Sequence, residues 1–322
     1  MSCIGTHDGN FHCDEVLACF MLRCLPEYKN SPVVRTRDPE ILKTCKIVVD
    51  VGGVYDPNLL RFDHHQRDFK ETMKSLKTLD YDTKLSSAGL VYNHFGRRVI
   101  ATLLELDSTE SPVMDILFSK MYENFVHSVD AIDNGINQFD GVPRTLNSRV
   151  NSLNPAWNSN DAPDIQFQKA MEIVGEEFTD QLGYMYKSWL PAREFVQKAI
   201  NERKKFHESG RILVLENSSC PWKDHFLEIE KEQNLENEKI TYILFSDNHG
   251  QWRVQAIPID ITNTFENRYP LPEEWRGFRD DELSKITGIE NCIFVHATGF
   301  IGGNKTLDGA LKMAEKALNK QK

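Results

Sequence analysis

The chain has 322 residues, 40% of them hydrophobic and 27% charged, with a formal net charge of −10. That length is long for one domain and comfortable for two, and the composition is that of an ordinary soluble protein. The acidic balance argues against a protein that coats long nucleic acid, so any nucleic-acid role belongs to a local site such as a strand end.

No apolar run is long enough to cross a bilayer, so no membrane association is expected. The opening "MSCIGTHDGNFHCDE" has neither the basic and apolar regions of a signal peptide nor the Arg-rich character of a transit peptide. The chemistry starts at His7, and no leader is expected ahead of it. Seven cysteines without a C-x-x-C pair fit reduced thiols inside the cell, and cytosol or nucleus is the expected location.

In chain order, "SCIGTH" reads as a strand and "CDEVLACFMLRCL" as a helix ended by Pro26. "SPVVRTR" is a strand, "PEILKTC" a short helix with Pro39 in its first turn, and "KIVVDVG" a buried strand ending at Asp50. Strands alternating with helices predict a parallel α/β sheet, whose ligands gather beyond the carboxyl ends of the strands. His7, Asp50 and the segment Asp63 to His65, after "LLRF", all fall at such ends. A helix follows over "SSAGLVYNHFGRRVIATLLEL", with Ser86 or Ser87 as N-cap, and another over "PVMDILFSKMYENFVHSVDAID", stopping at Asn134 and Gly135. Residues 136–165 read as a long ordered loop, and 166–207 as mostly helical with a break near Pro191. A second α/β unit follows, with strands "RILVLE", "KITYILFS", "WRVQAIP" and "NCIFVHATG" and a closing helix "TLDGALKMAEKALNK".

The chemistry-bearing residues lie in four segments. In "THDGNFHCDE", His7, His12 and Asp14 sit at a strand-to-helix turn with Asp8 and Glu15 close by, a natural place for a divalent metal and an anion. Asp50 follows buried aliphatic residues and must be solvated or paired, and its two oxygens suit a bridging ligand. In "RFDHHQ", adjacent histidines on extended chain point to opposite sides, so one faces a metal and the other substrate, with Asp63 orienting an imidazole from behind. In "VDAIDNG", Asp130 and Asp133 share a helix face near a C-terminus, where the macrodipole disfavours carboxylates without a cation. Together these residues, with either Asp130 or Asp133, suffice for two octahedral-leaning ions, Mn²⁺ or Mg²⁺ rather than structural zinc. The reaction class that follows is hydrolysis of a phosphoester or phosphoanhydride.

The "HDGNFHCD" loop, Asp50 after its strand, "DHH" at 63–65 and a later Asp at a helix end resemble the DHH phosphoesterase superfamily, over about the first 140 residues. Across nearly the whole chain, "GTHDGNFHCDE", "VVDVGGVYDP", "RFDHHQ", "LSSAGLVY", "VDAIDNGI", "SRVNSLNPAWN" and "FVHATGFIGG" are similar to the melanocyte-proliferating-gene exonuclease family, described as 3′–5′ RNA exonucleases of nucleus and mitochondria.

The resemblance implies a DHH-type catalytic domain over 1–165, a helical connector over 166–208 and a smaller C-terminal α/β substrate-binding domain over 209–322. It makes His7, Asp14, Asp50 and His64 metal ligands, puts His12 where many superfamily members carry Asp, and sets His65 against the scissile phosphate. It favours Asp133 over Asp130 as the last ligand. In the second domain, a Gly-rich loop at Gly302 and Gly303 before the closing helix would hold a phosphate through backbone N–H groups. Arg253 and His296 would take a phosphate or terminal hydroxyl. In the long loop, Arg149 would contact ribose-phosphate and Trp157 would stack on a base. The expected partner is single-stranded RNA or a short oligonucleotide, with no stable protein partner. The alternatives are a small-substrate phosphohydrolase and a metal- or nucleotide-binding protein without turnover.

Overall fold

A computed structural model describes residues 3–136, 144–216, 219–260 and 266–320. The chain divides into two compact units, Met1–Tyr186 and Lys187–Lys322. The helical stretch 166–208 is shared between them, and none of the described helices is long and apolar enough to cross a membrane.

The first unit is built on β1 (Ile4–Thr6), α1 (Cys13–Cys24), β2 (Val33–Arg35), α2 (Pro39–Thr44), β3 (Ile47–Val49), β4 (Tyr55–Asp56) and β5 (Arg61–Phe62). Its five-stranded sheet has the order β2-β1-β3-β5-β4, parallel except for the antiparallel edge strand β4. Strand order reverses between β1 and β3, which opens a crevice at their carboxyl ends. The α1 helix is apolar nearly all round and is buried accordingly. It begins where the Glu15 carboxylate accepts from the His12 amide at 2.9 Å, half of a capping box.

Helices α3 (Ser87–Leu104), α4 (Pro112–Met121), α5 (His127–Asp133), α6 (Leu146–Asn151) and α7 (Pro163–Tyr184) complete the unit. A π-helical turn, Tyr122–Val126, joins α4 to α5. Within the expected loop over 136–165, residues 144–165 contain α6, whose first turn closes through a reciprocal Thr145–Ser148 cap; residues 137–143 lie outside the described set. Short helices without a strong apolar stripe leave little periodic signal, which is why this one reads as loop.

The second unit runs α8 (Leu190–Asn201), α9 (Arg203–Phe206), β6 (Ile212–Leu215), α10 (Lys223–Glu232), β7 (Tyr242–Ser246), β8 (Trp252–Ala256), α11 (Asp280–Thr287), β9 (Cys292–Val295), β10 (Ile301–Asn304) and α12 (Leu307–Asn319). Pro191 falls in the first turn of α8, directly after a π-helical turn at Met185–Trp189, so the expected break lies just ahead of it. The sheet order is β6-β7-β8-β10-β9, with only the β6–β7 pair parallel. Alternate residues of these strands feed two cores, one around Trp275 and Met313 and one around Phe226 and Ile243.

The "GFIGG" stretch departs from its expected form. Gly302 and Gly303 do not lie in a loop: they belong to β10, paired on both sides within the sheet, while Gly299 stays in the turn ahead of it at φ 75°. Their missing side chains serve packing, because a Cβ at Gly303 would meet the Arg253 guanidinium at 2.8 Å and one at Gly302 would meet Leu271 at 2.8 Å.

Ser86 occupies the N-cap position of α3, but its hydroxyl donates to Asp130 at 2.7 Å instead of capping the helix. Asp130 is fully buried and also accepts from the Ser86 amide, the Gly89 amide and the Tyr122 hydroxyl. This carboxylate ties α5 to the start of α3, and a Cβ on Gly89 would overlap it. Gly89→Ala is therefore expected to lose about 1–3 kcal/mol by overpacking. Urea unfolding would register this as a lower midpoint with an unchanged slope; an unchanged midpoint would mean that the contact relaxes freely.

Candidate metal centre

The carboxyl ends of β1, β3 and β5 deliver His7, Asp50 and the segment Asp63 to His65 to one crevice. The first turn of α1 adds Asp14 and Glu15, and the last turn of α5 adds Asp133. His7, Asp14, Glu15, Asp50, Asp63 and His64 are all buried.

Asp50 is the centre of the arrangement. Its carboxylate lies 3.1 Å from His64 Nε2, 3.3 Å from His7 Nε2 and 3.6 Å from His65 Nδ1. The residue takes the left-handed conformation, φ 57°, which Asp tolerates better than most side chains and which swings its carboxylate off the strand line. Gly52 and Gly53 follow at φ 100° and 68°, and the Gly53 amide donates to Asp63 at 2.6 Å.

His7 Nε2 also reaches Glu15 at 2.9 Å, while His64 Nε2 lies 3.5 Å from Asp133 and 3.7 Å from Asp14. Asp63 sits behind His65, accepting from its Nδ1 at 2.7 Å and from its amide at 3.1 Å. The two histidines do not alternate cleanly. β5 ends at Phe62, so residues 63–65 are no longer regular strand, and the two rings lie 4.4 Å apart with both facing Asp50. They differ in exposure instead: His64 is buried, whereas the His65 side chain is 62% exposed.

Three overlapping donor sets result, each with its atoms within 4.8 Å of one another: His7, His12, Glu15 and Asp50; Asp50, His64 and His65; and Asp14, His64 and Asp133. Asp50 and His64 each belong to two of them. The sets mix imidazole and carboxylate donors, and several of these residues could hold a divalent ion. Two atoms of these residues are also left without a partner. Asp14 Oδ1 and His64 Nδ1 are buried without hydrogen-bond partners.

The buried carboxylates are also mutually unfavourable. Burial, followed by the Asp14 charge, pushes the Asp133 carboxyl up to about 7, and burial with the Asp50 charge raises Asp14. Burial would lower His7 and His64, but hydrogen bonds to Asp50, joined by Glu15 at His7, carry them to about 10 and about 9. Burial would raise Asp50, yet the bonds from His64 and His7 hold it at about 2.

A cavity of about 890 Å³ opens on the cluster, lined by Asp50, His64, His65, Asp133, Lys84 and the polar face of α6. A second, of about 590 Å³, adjoins His7, Arg37, Gly52, Gly53 and Asp63. Both share His12, Asp50 and His65.

Not every residue singled out from sequence converges here. Asp130 belongs to none of the donor sets and serves the α3–α5 junction. Arg149 is paired with Glu177 at 2.8 Å, and Trp157 is 95% exposed. In the second unit, Arg253 pairs with Asp247 and lies 5.5 Å over the Phe294 ring, while His296 bonds Thr298 at 3.0 Å. Glu15 is a site member that sequence reasoning noted only as a neighbour. Its signal is the spacing from His12, three residues, which makes it the capping-box acid that also reaches His7.

The sequence profile of a family described as "Uncharacterised protein family (UPF0160)", MYG1 exonuclease, matches residues 3–318. A protein of Caenorhabditis elegans called MYG1 protein is 53% identical over 98% of this chain and 95% of its own length. The MYG1 exonuclease of Rattus norvegicus is 52% identical over 98% of this chain and 84% of its own, and a MYG1 protein of Saccharomyces cerevisiae is 43% identical over 98% and 95%. No solved structure matches the chain significantly. The chain belongs to the MYG1 exonuclease family.

Two outcomes are expected. Asp130→Asn should lower stability by about 1–3 kcal/mol, because its new N–H₂ would face hydrogen-bond donors. Asp133→Asn should leave the protein without added metal at least as stable as before, since it removes a carboxylate opposed by burial and the Asp14 charge, and should weaken Mn²⁺ binding by calorimetry; the reverse pattern would exchange the two roles. The second outcome concerns pH. Raised folded-state values mean that His7 and His64 stabilise the metal-free fold below their ordinary 6.5 and lose that contribution as pH rises through about 9 and 10. Asp133 loses its contribution between 3.8 and about 7, whereas Asp50 contributes above 3.8 and loses its share only as pH falls through about 2. The metal-free fold therefore weakens from pH 5 to 10, while ligand deprotonation favours metal. The melting-temperature gap between Mn²⁺-loaded and chelator-treated protein should widen from pH 6 to pH 9, and a constant gap would count against this centre.

Proposed function

We propose that the protein is a metal-dependent phosphodiesterase, a 3′–5′ exonuclease that removes terminal nucleotides from single-stranded RNA or short oligonucleotides. The observation that carries this reading is the convergence of His7, Asp14, Glu15, Asp50, His64 and Asp133 on one crevice, with Asp50 shared between donor sets. The name "MYG1 exonuclease" carried by mammalian relatives supports the nuclease class. The DHH-type assignment of the first unit, the 3′–5′ polarity and the choice of RNA rest on motif resemblance.

In this reading His7, His12, Asp14, Glu15, Asp50, His64 and Asp133 hold Mn²⁺ or Mg²⁺, two ions by the size of the donor set. Such ions supply an activated water and neutralise phosphoryl oxygens. The protein's own part is positional. Asp63 fixes the His65 ring through Nδ1, leaving Nε2 to meet a phosphate oxygen from the exposed side. The hydrogen bond to Asp63 raises the His65 pKa, favouring the protonated ring and a charge-assisted contact. Arg253 and His296 are the residues of the second unit that would take the terminal nucleotide.

The test compares wild type with Asp50→Asn, a change that keeps the left-handed backbone accessible, on end-labelled RNA, DNA and pyrophosphate with Mn²⁺ or Mg²⁺. A ladder shortening stepwise from the 3′ end is expected. Its rate should fall in the variant by more than about 100-fold, beyond the loss typical of an outer-shell partner. If wild type hydrolyses none of these compounds, the enzyme reading fails; a preference for pyrophosphate would point to a small-substrate phosphohydrolase.

A further inference from the structure

Lys84 stands out among the residues that the metal chemistry does not use. It lies just ahead of α3, half-buried, and lines the larger cavity together with Asp50, His64, His65 and Asp133. Its backbone carbonyl accepts from the Asn134 side chain at 2.8 Å, which anchors this residue to the end of α5. Its ammonium lies 5.5 Å over the Phe69 ring, and that ring meets His64 edge-on at 6.3 Å. No carboxylate among the described residues pairs with it, although lysines elsewhere, such as Lys43, Lys198 and Lys312, do find acidic partners. Lys84 is also the one Lys or Arg among the described residues lining this cavity, whose lining includes the neutral amides of Asn147 and Asn151.

A half-buried ammonium whose company among the described residues is an aromatic face has exchanged water for a weak contact. Its position beside a crevice rich in carboxylates, yet unpaired with any of them, leaves it available to an anion from outside the chain. A nucleotide chain carries one phosphate per residue. When one phosphate occupies the metal centre, its neighbours need their own positive charge, and the neutral amides of the lining cannot supply it.

Building on the exonuclease reading, we propose that Lys84 is a phosphate-binding residue of the substrate cleft, taking the phosphate next to the one being cleaved. Lys84 thereby makes the enzyme favour substrates with at least two phosphates over dinucleotides with one. The lysine acts on binding and leaves the chemical step to the centre.

The test uses wild type, Lys84→Gln and Lys84→Arg in the full chain. Affinity is read by anisotropy of a fluorescent tetraribonucleotide with Ca²⁺ replacing Mn²⁺, over a range of salt, and turnover is measured with Mn²⁺ on a tetranucleotide and on a dinucleotide with a single phosphate. For Lys84→Gln, KM and Kd for the tetranucleotide should rise roughly tenfold, as for loss of a hydrogen bond to a charged group. The slope of log affinity against log salt should shrink by about 0.7, the share of one single-strand phosphate. Dinucleotide turnover should stay the same, and Lys84→Arg should restore most of the affinity. Unchanged affinity and salt slope in Lys84→Gln, with wild type active, would overturn the proposal and leave the exonuclease reading intact. A kcat loss on the dinucleotide equal to that on the tetranucleotide would also overturn it, by moving Lys84 to the scissile phosphate. Wild type that neither binds nor cleaves any oligonucleotide would remove both readings together. Equal melting temperatures for the three proteins separate these outcomes from misfolding.

Discussion

Placing Asp14, Glu15 and Asp50 out of solvent, with Asp133 beside them, is the constraint on which the first unit is organised. A buried carboxylate without compensation is among the costliest groups a fold can carry. Among the side chains themselves the compensation comes from His7 and His64, which hold protons far above their ordinary range. That solution is partial, since Asp14 and Asp133 are still pushed up by burial and by neighbouring charge. A divalent cation held by these residues would resolve the same conflict for all of them at once. The stability of this region and its capacity for chemistry thus rest on one electrostatic problem.

The surrounding structure holds that problem in a fixed geometry. The His7–Asp14 loop is fastened by Arg35, which lies near the Phe11 and Phe167 rings, donates to the Gly9 carbonyl at 2.5 Å and pairs with Asp164 at 3.3 Å. Asn154 bonds both the amide and the carbonyl of Phe11 at 2.8 Å, a two-point tie from a segment far along the chain. The Asp130 network then fixes the start of α3 against α5, and Asp133 is carried one turn beyond it. Asp130 and Asp133 divide the labour of a single helix end, one closing the fold and one facing the crevice.

The parts of this centre visible in sequence are those where a run of buried residues stops at a polar one. His7 after "CIGT", Asp50 after "KIVV" and Asp63 to His65 after "LLRF" are such stops, because β1, β3 and β5 are parallel and place their carboxyl ends on one edge. The split between Asp130 and Asp133 was less legible from residues alone: both share a helix face, and only the Ser86, Gly89 and Tyr122 donors show that one of them is consumed by packing. The strand position of Gly302 and Gly303 was hidden for a related reason. Glycines next to a helix suggest a loop, whereas here they make room in a sheet for Arg253 and Leu271, neighbours that no local pattern encodes. Arg149 was equally ambiguous, since its Glu177 partner lies 28 positions away.

The shape of the crevice adds a last argument about what it can accept. A centre serving one small anion needs a single opening, with the charged ligands at its floor. Here two cavities meet at His12, Asp50 and His65, so the exposed histidine stands between spaces of about 890 and 590 Å³. Lys84 supplies the fixed positive charge of one and Arg37 that of the other, although Arg37 also lies 3.5 Å from Asp8 at the surface. A ligand that threads both spaces presents its middle to Asp50 and His65 and its flanks to the two cations. On the proposed exonuclease reading, that geometry would favour a chain with repeating charges over an isolated phosphate, because it concentrates positive charge at the crevice of a chain whose net charge is −10.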